Sequence, residues 1–174
     1  GPLTLINPER FIARPISWLE ALTESKATIS VAPNFAFGLC AERIEERQLA
    51  GLDLSSWSVA LCGAEPVHPK TLTRFSERFA SVGFRSTALT PVYGLAEATL
   101  GVTFAPLEQE RRTIRVDPLS LEVEGRVQLA GDGLPLSSLG VPLPGTRIEI
   151  RNEHKEKVAP GQVGQVWVQG DGVM

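Results

Sequence analysis

The 174-residue chain sets 17 Lys and Arg against 20 Asp and Glu, a formal net charge of −3, which gives no reason to expect nucleic acid or an anionic membrane as partner. Its length suits one domain, or a large part of one, and a hydrophobic share of 43% supplies a sizeable core. The two cysteines, Cys40 and Cys62, sit in the apolar runs FGLC and VALC with no second Cys or His at metal-ligand spacing, so we expect buried, reduced thiols and a cytoplasmic setting.

No run approaches the roughly 20 apolar residues of a bilayer span, and no charged leader precedes an apolar stretch, so neither a membrane helix nor a signal peptide is expected. The opening GPLTLINPERF has no initiator Met, and VQGDGVM follows directly on a strand-like run; we therefore expect a piece of a longer protein.

In chain order, PISWLEALTESK starts with a Pro suited to the first helical turn and places Ile16, Leu19 and Leu22 on one face. ATISVAP reads as a buried strand, and NFAFGLCAERIEERQ as a helix with Asn34 as its N-cap. After the turn LDLSS, WSVALCG is a near-continuous apolar run of strand length. EPVHPKTLTRFSERFASVG predicts an amphipathic helix with Leu72, Phe75 and Phe79 as its stripe and Gly83 as its stop. RSTALTPVYG is a short strand, and a helical segment is expected from about Leu95. Strands that alternate with helices and are apolar on both faces argue for parallel strands in an α/β layer.

The texture changes after Phe104. TIRVD, LEVEG, RVQLA, TRIEIRN and GQVWVQG read as short strands of period-two alternation between Gly, Pro and Asp turns, predicting a small sheet or partial barrel. From Ala105 to about Leu136 the chain is rich in charge and turn residues, as an inserted surface element would be. Its pairs Ile114/Val116 and Val127/Leu129 nevertheless alternate as strands seeking a buried face. The expected organisation is an α/β portion over 1–104, an insertion over 105–136 and the start of a β-subdomain over 137–174.

Two segments carry chemistry. In LCGAEPV an apolar strand runs into Gly63-Ala64, which brings main chain with little side-chain bulk to the carboxyl edge of a sheet, where α/β folds bind ligands and a flat ring can lie. The alternative is a plain strand-to-helix turn with Glu65 in the first helical turn, favoured by the macrodipole. In TPVYGLAEATLG a strand ends at Tyr93-Gly94 before a helix start bearing Glu97. The Tyr93 ring suits a base, the Thr90 hydroxyl and main-chain N–H groups suit a phosphate, and Glu97 offers a hard oxygen to Mg²⁺. Here the alternative is a Tyr packed in a turn and a solvated Glu.

Together these segments resemble a known family. YGLAEATLG is similar to the Y-G-x-x-E signature of adenylate-forming enzymes, in the form typical of fatty acyl-AMP ligases. GAEPV resembles their adenine-binding turn, PNFAFGLC their acyl-pocket helix, and VPLPGTRIEI with GQVGQVWVQGDGV their downstream segment. The resemblance implies that Gly63, Ala64, Glu65 and Pro66 line the adenine with Tyr93 on the ring. It implies that Gly94, Leu95 and Ala96 border the AMP phosphate, that Glu97 is the catalytic Mg²⁺ ligand, and that Asn34, Phe35 and Phe37 form part of the acyl-pocket wall. For Phe35 and Phe37 core packing is the competing reading. Ala96 stands where many acyl-CoA synthetases carry Thr.

The same resemblance implies an α/β large domain, ATP and Mg²⁺ as cofactors, a fatty acid as substrate, and an acyl carrier protein or polyketide synthase carrier domain as acceptor. The insertion over 105–136 is implied to disfavour use of CoA. The family's phosphate loop, ribose-binding Asp and C-terminal Lys are not among these residues, so the rest of a parent enzyme is an expected partner and the piece alone is expected to be inactive. Lys155 and Lys157 read as solvated charges, and Trp18, Trp57 and Trp167 as packing residues. A piece of an acyl-CoA synthetase, a degenerate adenylation-like binding or regulatory domain, and an unrelated nucleotide-binding module are the alternatives.

Overall fold

The computed structural model describes residues Gly1–Met174, which divide into two compact units: Gly1–Thr90 with Pro106–Arg111, and Pro91–Ala105 with Arg112–Met174.

In the first unit, helices α1 (Pro8–Ala13) and α2 (Ile16–Ser25) lead to strand β1 (Ile29–Pro33), helix α3 (Asn34–Arg43), strand β2 (Val59–Gly63) and helix α4 (Pro69–Phe79). β1 and β2 pair in parallel from Ile29↔Val59 to Pro33↔Gly63, as the α/β reading expects. The stripes of α2 (Ile16, Leu19, Leu22) and α4 (Leu72, Phe75, Phe79) are buried. Aromatic rings fill the space between elements. Phe75 meets Phe37 edge-on at 5.0 Å and Phe84 edge-on at 5.0 Å, and Trp18 meets Phe37 and Trp57, each at 5.2 Å. Such edge contacts stabilise beyond the area they bury. The Trp18 indole donates to Ser30 Oγ and the Trp57 indole to the Val59 carbonyl, each at 3.0 Å, so neither N–H is left unpaired in the core. Cys40 and Cys62 are free and buried, as expected.

Two details of this unit differ from the sequence reading. β1 buries one side only, since alternation turns Ser30 and Ala32 to the core and leaves Ile29 and Val31 61% and 69% exposed. α3 stops at Arg43 rather than near Gln48, because Ile44 turns extended to bury its side chain. Glu45 and Gln48 then close a capping box around a short 3₁₀ turn.

Strand β3 (Leu89–Leu95) carries the chain from the first unit into the second. There it pairs antiparallel with β4 (Leu100–Phe104), and β4 pairs antiparallel with β7 (Val141–Pro142). The helix expected from Leu95 is a single 3₁₀ turn, Ala96–Ala98, inside a hairpin. The ladder slips between Tyr93 and Gly94, and a Cβ on Gly94 would stand 1.6 Å from the Leu100 carbonyl oxygen. Only glycine permits that approach, so the hairpin itself requires this residue.

β5 (Thr113–Val116) pairs with β6 (Leu134–Ser137) and brackets helix α5 (Pro118–Glu122), while β8 (Thr146–Arg151) pairs with β9 (Gln165–Gly170). LEVEG does not form a strand. Asp117 accepts the Ser120 N–H at 2.7 Å and Pro118 pre-sets the first turn, so helix α5 starts here instead. RVQLA contributes isolated bridges only. Of the two hydrophobic pairs in this stretch, Val116 alone is buried. The β-rich half is thus a set of short antiparallel ladders, not one barrel. No helix is long and apolar enough to cross a membrane.

Candidate active site

In the first unit, β2 ends at Gly63 and the main chain turns through Ala64, whose φ of 64° is left-handed. A non-glycine residue held there stores roughly 1–3 kcal/mol of strain, which collects at functional turns. Ala64, Glu65 and Pro66 are exposed, and α4 starts only at Pro69. Glu65 therefore lies on a free turn and not in the first helical turn.

Asn34 is the first residue of α3, with Pro33 at the cap position. Its buried Oδ1 accepts the His68 N–H at 3.0 Å, so it serves a neighbouring turn rather than its own helix. Glu65 Oε1 accepts the Phe35 N–H at 2.5 Å. Phe35 is 50% exposed, whereas Phe37 is fully buried among Trp18, Trp57 and Phe75. Two residues along a helix turn the side chain by about 200°, so the pair faces opposite ways, and only Phe35, edge-on to Phe11 at 6.5 Å, keeps its ring partly exposed.

Burial, with the Glu65 charge adding to it, pushes the Cys62 thiol up to about 12, against the opposing pull of Arg111. Arg111 is tucked into the same unit and donates to the Ser86 carbonyl at 3.3 Å and to Thr73 Oγ1 at 3.4 Å. Thr90 is 1% exposed, and its hydroxyl donates to the Ala88 carbonyl at 3.1 Å. That hydroxyl is already engaged.

In the second unit, Tyr93, Gly94 and Leu95 are half-buried on β3, and Ala96 and Glu97 are exposed on the 3₁₀ turn. The turn closes through Thr99 at φ 50° and Leu100 at φ 90°, both left-handed. Thr99 Oγ1 donates to the Gly172 carbonyl at 2.7 Å, and the Met174 N–H donates to the Glu97 carbonyl at 2.8 Å. Thr99 thus steadies the turn that presents Glu97, a role sequence reading missed. Its only hint was a hydroxyl residue between the AEA turn and the next strand.

No three acidic, His or Cys side chains gather into a metal cage. A lone exposed carboxylate such as Glu97 still fits Mg²⁺, which takes one or two protein carboxylates and draws its other ligands from phosphate and water.

An α/β layer followed by strand-end turns with small residues is the architecture of ligand-binding α/β proteins. The AMP-binding enzyme family matches residues 2–174, and the chain belongs to that family. The medium-chain-fatty-acid–[acyl-carrier-protein] ligase TtuA of Teredinibacter turnerae is 35% identical over 97% of this chain and 27% of its own length. The long-chain-fatty-acid–AMP ligase FadD23 of Mycobacterium tuberculosis is 38% identical over 97% of this chain and 29% of its own. A fatty acyl-adenylate ligase from Legionella pneumophila, solved in complex with acyl adenylate and pyrophosphate, superposes with a TM-score of 0.90 at 40% identity, covering 96% of this chain and 30% of its own. The chain therefore spans less than a third of each of these proteins, and the resemblance read from YGLAEATLG and GAEPV holds across it.

Proposed function

We propose that the chain is part of an enzyme that activates a fatty acid with ATP, giving acyl-AMP and pyrophosphate. A carboxylate oxygen of the acid forms a bond to the α-phosphorus as the bond from that phosphorus to pyrophosphate breaks. The observation that carries this reading is the likeness, over nearly the whole chain, to the L. pneumophila ligase solved with acyl adenylate and pyrophosphate. Transfer of the acyl group to a carrier-protein thiol is supported by the name of TtuA.

In this reading the main chain of Gly63, Ala64, Glu65 and Pro66 borders the adenine and Tyr93 flanks its ring. Main-chain N–H groups of Gly94, Leu95 and Ala96 face the AMP phosphate. Thr90 lies buried at the start of the strand that leads to them, its hydroxyl already committed to Ala88. Glu97 holds Mg²⁺, which when bound offsets the charge that builds on the phosphates. Asn34 and the half-exposed ring of Phe35 border the acyl chain, with Phe37 backing them from the core. The stretch 105–136 is a family insertion that restrains use of CoA.

In the full-length enzyme, Glu97→Ala should lower ATP–pyrophosphate exchange by about 10²–10³, the usual loss when one charge-stabilising group is removed. Unchanged exchange at limiting Mg²⁺ would exclude the metal role, and wild-type enzyme inert with every fatty acid would exclude the activity. Efficient acyl-CoA formation by the unmodified enzyme would make it an acyl-CoA synthetase instead. Deleting 105–136 should leave adenylation in place and raise acyl-CoA output.

A further inference from the structure

Helices α3 and α4 begin side by side because their strands do. The parallel register sets Pro33 against Gly63, so the chain leaves β1 and β2 at one level. Neither helix caps itself, since Pro33 and His68 at the two cap positions make no side-chain cap bond. The first N–H groups of a helix and of the turn leading into it still need acceptors. One acceptor at each start is supplied by the neighbouring connection. Glu65, on the turn after β2, takes the Phe35 N–H at the start of α3, and Asn34, first in α3, takes the His68 N–H at the start of α4. The carboxylate also lies at the positive end of the α3 dipole. Asn34 is 6% exposed, so packing holds its amide in place.

We propose that Asn34 and Glu65 form a reciprocal clasp and act as positioning residues, tying the turn 63–66 to the first turn of α3, where Phe35 stands. The inference rests on the proposed reading of that turn as the nucleotide border and of Phe35 as part of the acyl border. A side chain that touched only its own ligand would alter the binding of that ligand alone. The clasp crosses the two. Removing Glu65, on the nucleotide turn, weakens fatty-acid binding as well, and removing Asn34, on the acyl helix, weakens ATP binding as well.

The test uses Glu65→Ala, Glu65→Asp, Glu65→Gln, Asn34→Ala and the Glu65→Ala/Asn34→Ala double variant of the full-length enzyme. Each Ala variant should raise KM for both substrates by about tenfold, the loss expected for one charge-assisted or buried hydrogen bond. The double variant should fall short of the product of the two singles, because the bonds share one clasp. Glu65→Gln keeps an acceptor at the same reach and should recover most of the loss. Glu65→Asp keeps the charge but is one methylene too short, so it should behave as Glu65→Ala, and it serves if the Ala variant does not fold. Hydrogen exchange by mass spectrometry, over peptides holding Phe35 and His68, reads the clasp without catalysis. Either Ala variant should deprotect both peptides. A Glu65→Ala effect confined to KM for ATP, or protection at Phe35 that survives the loss of Glu65, overturns the clasp. Wild-type enzyme without adenylation activity would sink the functional reading instead, and the exchange data would still decide for or against the clasp.

Discussion

The two units reach order by different means. In the first, 20 buried apolar residues form one cluster, and six aromatic rings (Trp18, Phe37, Trp57, Phe75, Phe79 and Phe84) interlock within it. In the second, the buried apolar side chains are few, chiefly Pro91, Ala98, Val102 and Val116, and shape comes from antiparallel ladders, bridges and glycines pressed against neighbouring main chain. Side-chain packing is close to crystal density and sensitive to lost volume, whereas a ladder answers to backbone geometry. Substitutions in the two units should therefore fail in different ways.

The largest expected effect is in the packed cluster. Phe75→Ala removes a fully buried ring that meets Phe37, Trp57, Phe79 and Phe84, and should cost about 3–5 kcal/mol by urea denaturation. Truncating Ile148, half-buried on β8, should cost about 1 kcal/mol. Equal losses would erase the contrast. In the second unit the sensitive position is Gly94, where even a methyl group meets the Leu100 carbonyl. Gly94→Ala should cost about 1–3 kcal/mol and open the hairpin, measured as faster amide exchange across Leu95–Leu100. Gly51 is the converse case, with a positive φ of 91° and open space around it, so Gly51→Ala is the control that carries backbone strain without collision.

What the sequence made legible follows the same division. The stripes Ile16/Leu19/Leu22 and Leu72/Phe75/Phe79 were readable because a helix with one buried face writes its period into its residues. The turns at Gly63–Pro66 and Tyr93–Glu97 were readable as motifs, but their conformations were not. The hairpin at Gly94 depends on a close approach to Leu100, and nothing in the local pattern separates it from a helix start. LEVEG alternates as a strand should, yet the cap at Asp117 decided for helix α5. For Phe35 and Phe37 the sequence leaves pocket wall and core packing both open, and helical geometry divides the pair, with Phe37 in the core and Phe35 half-exposed. The bonds from Asn34 to His68 and from Glu65 to Phe35 span 34 and 30 residues, and only the strand register brings those groups within reach.

A further contrast lies in alkaline solution. Burial alone pushes the Cys40 thiol from 9.0 up to about 12, and burial dominates at Cys62, also raised to about 12. A thiol raised in the folded state leaves stability unchanged below its ordinary value. Above pH 9 the unfolded chain ionises first, so stability should decline from about pH 9 toward 12. Urea midpoints across that range check this, with Cys40→Ala flattening the slope. A slope unaffected by that variant would mean that Cys40 is not responsible. Iodoacetamide at pH 8.5 should label both thiols only as fast as the first unit opens.

The smallest effect belongs to the β8–β9 hairpin and to acid. Arg151 lies over the Trp167 ring at 4.7 Å and donates to Glu149 Oε2 through Nε at 3.0 Å and Nη2 at 2.6 Å. Those hydrogen bonds, and next the guanidinium charge, hold the Glu149 carboxyl below its ordinary 4.5. A carboxyl lowered in the folded state adds stability that is present above 4.5 and is lost as pH falls through the folded value. The pair is solvent-accessible, so its share is screened by salt, while the contact with Trp167 is worth about 0.5–1 kcal/mol at an exposed site. Asp53 in the first unit is also lowered, by its hydrogen bonds to Ser55, so an acid melt of the wild type mixes both units. Arg151→Ala separates them. The difference in Tm between wild type and variant should be small at pH 7, shrink below pH 4.5 as Glu149 takes up its proton, and shrink likewise in high salt. The ring contact with Trp167 sets the remainder. A difference that stays constant from pH 7 to pH 3 would leave Glu149 with no part in holding the hairpin and assign the whole effect to Arg151 on Trp167.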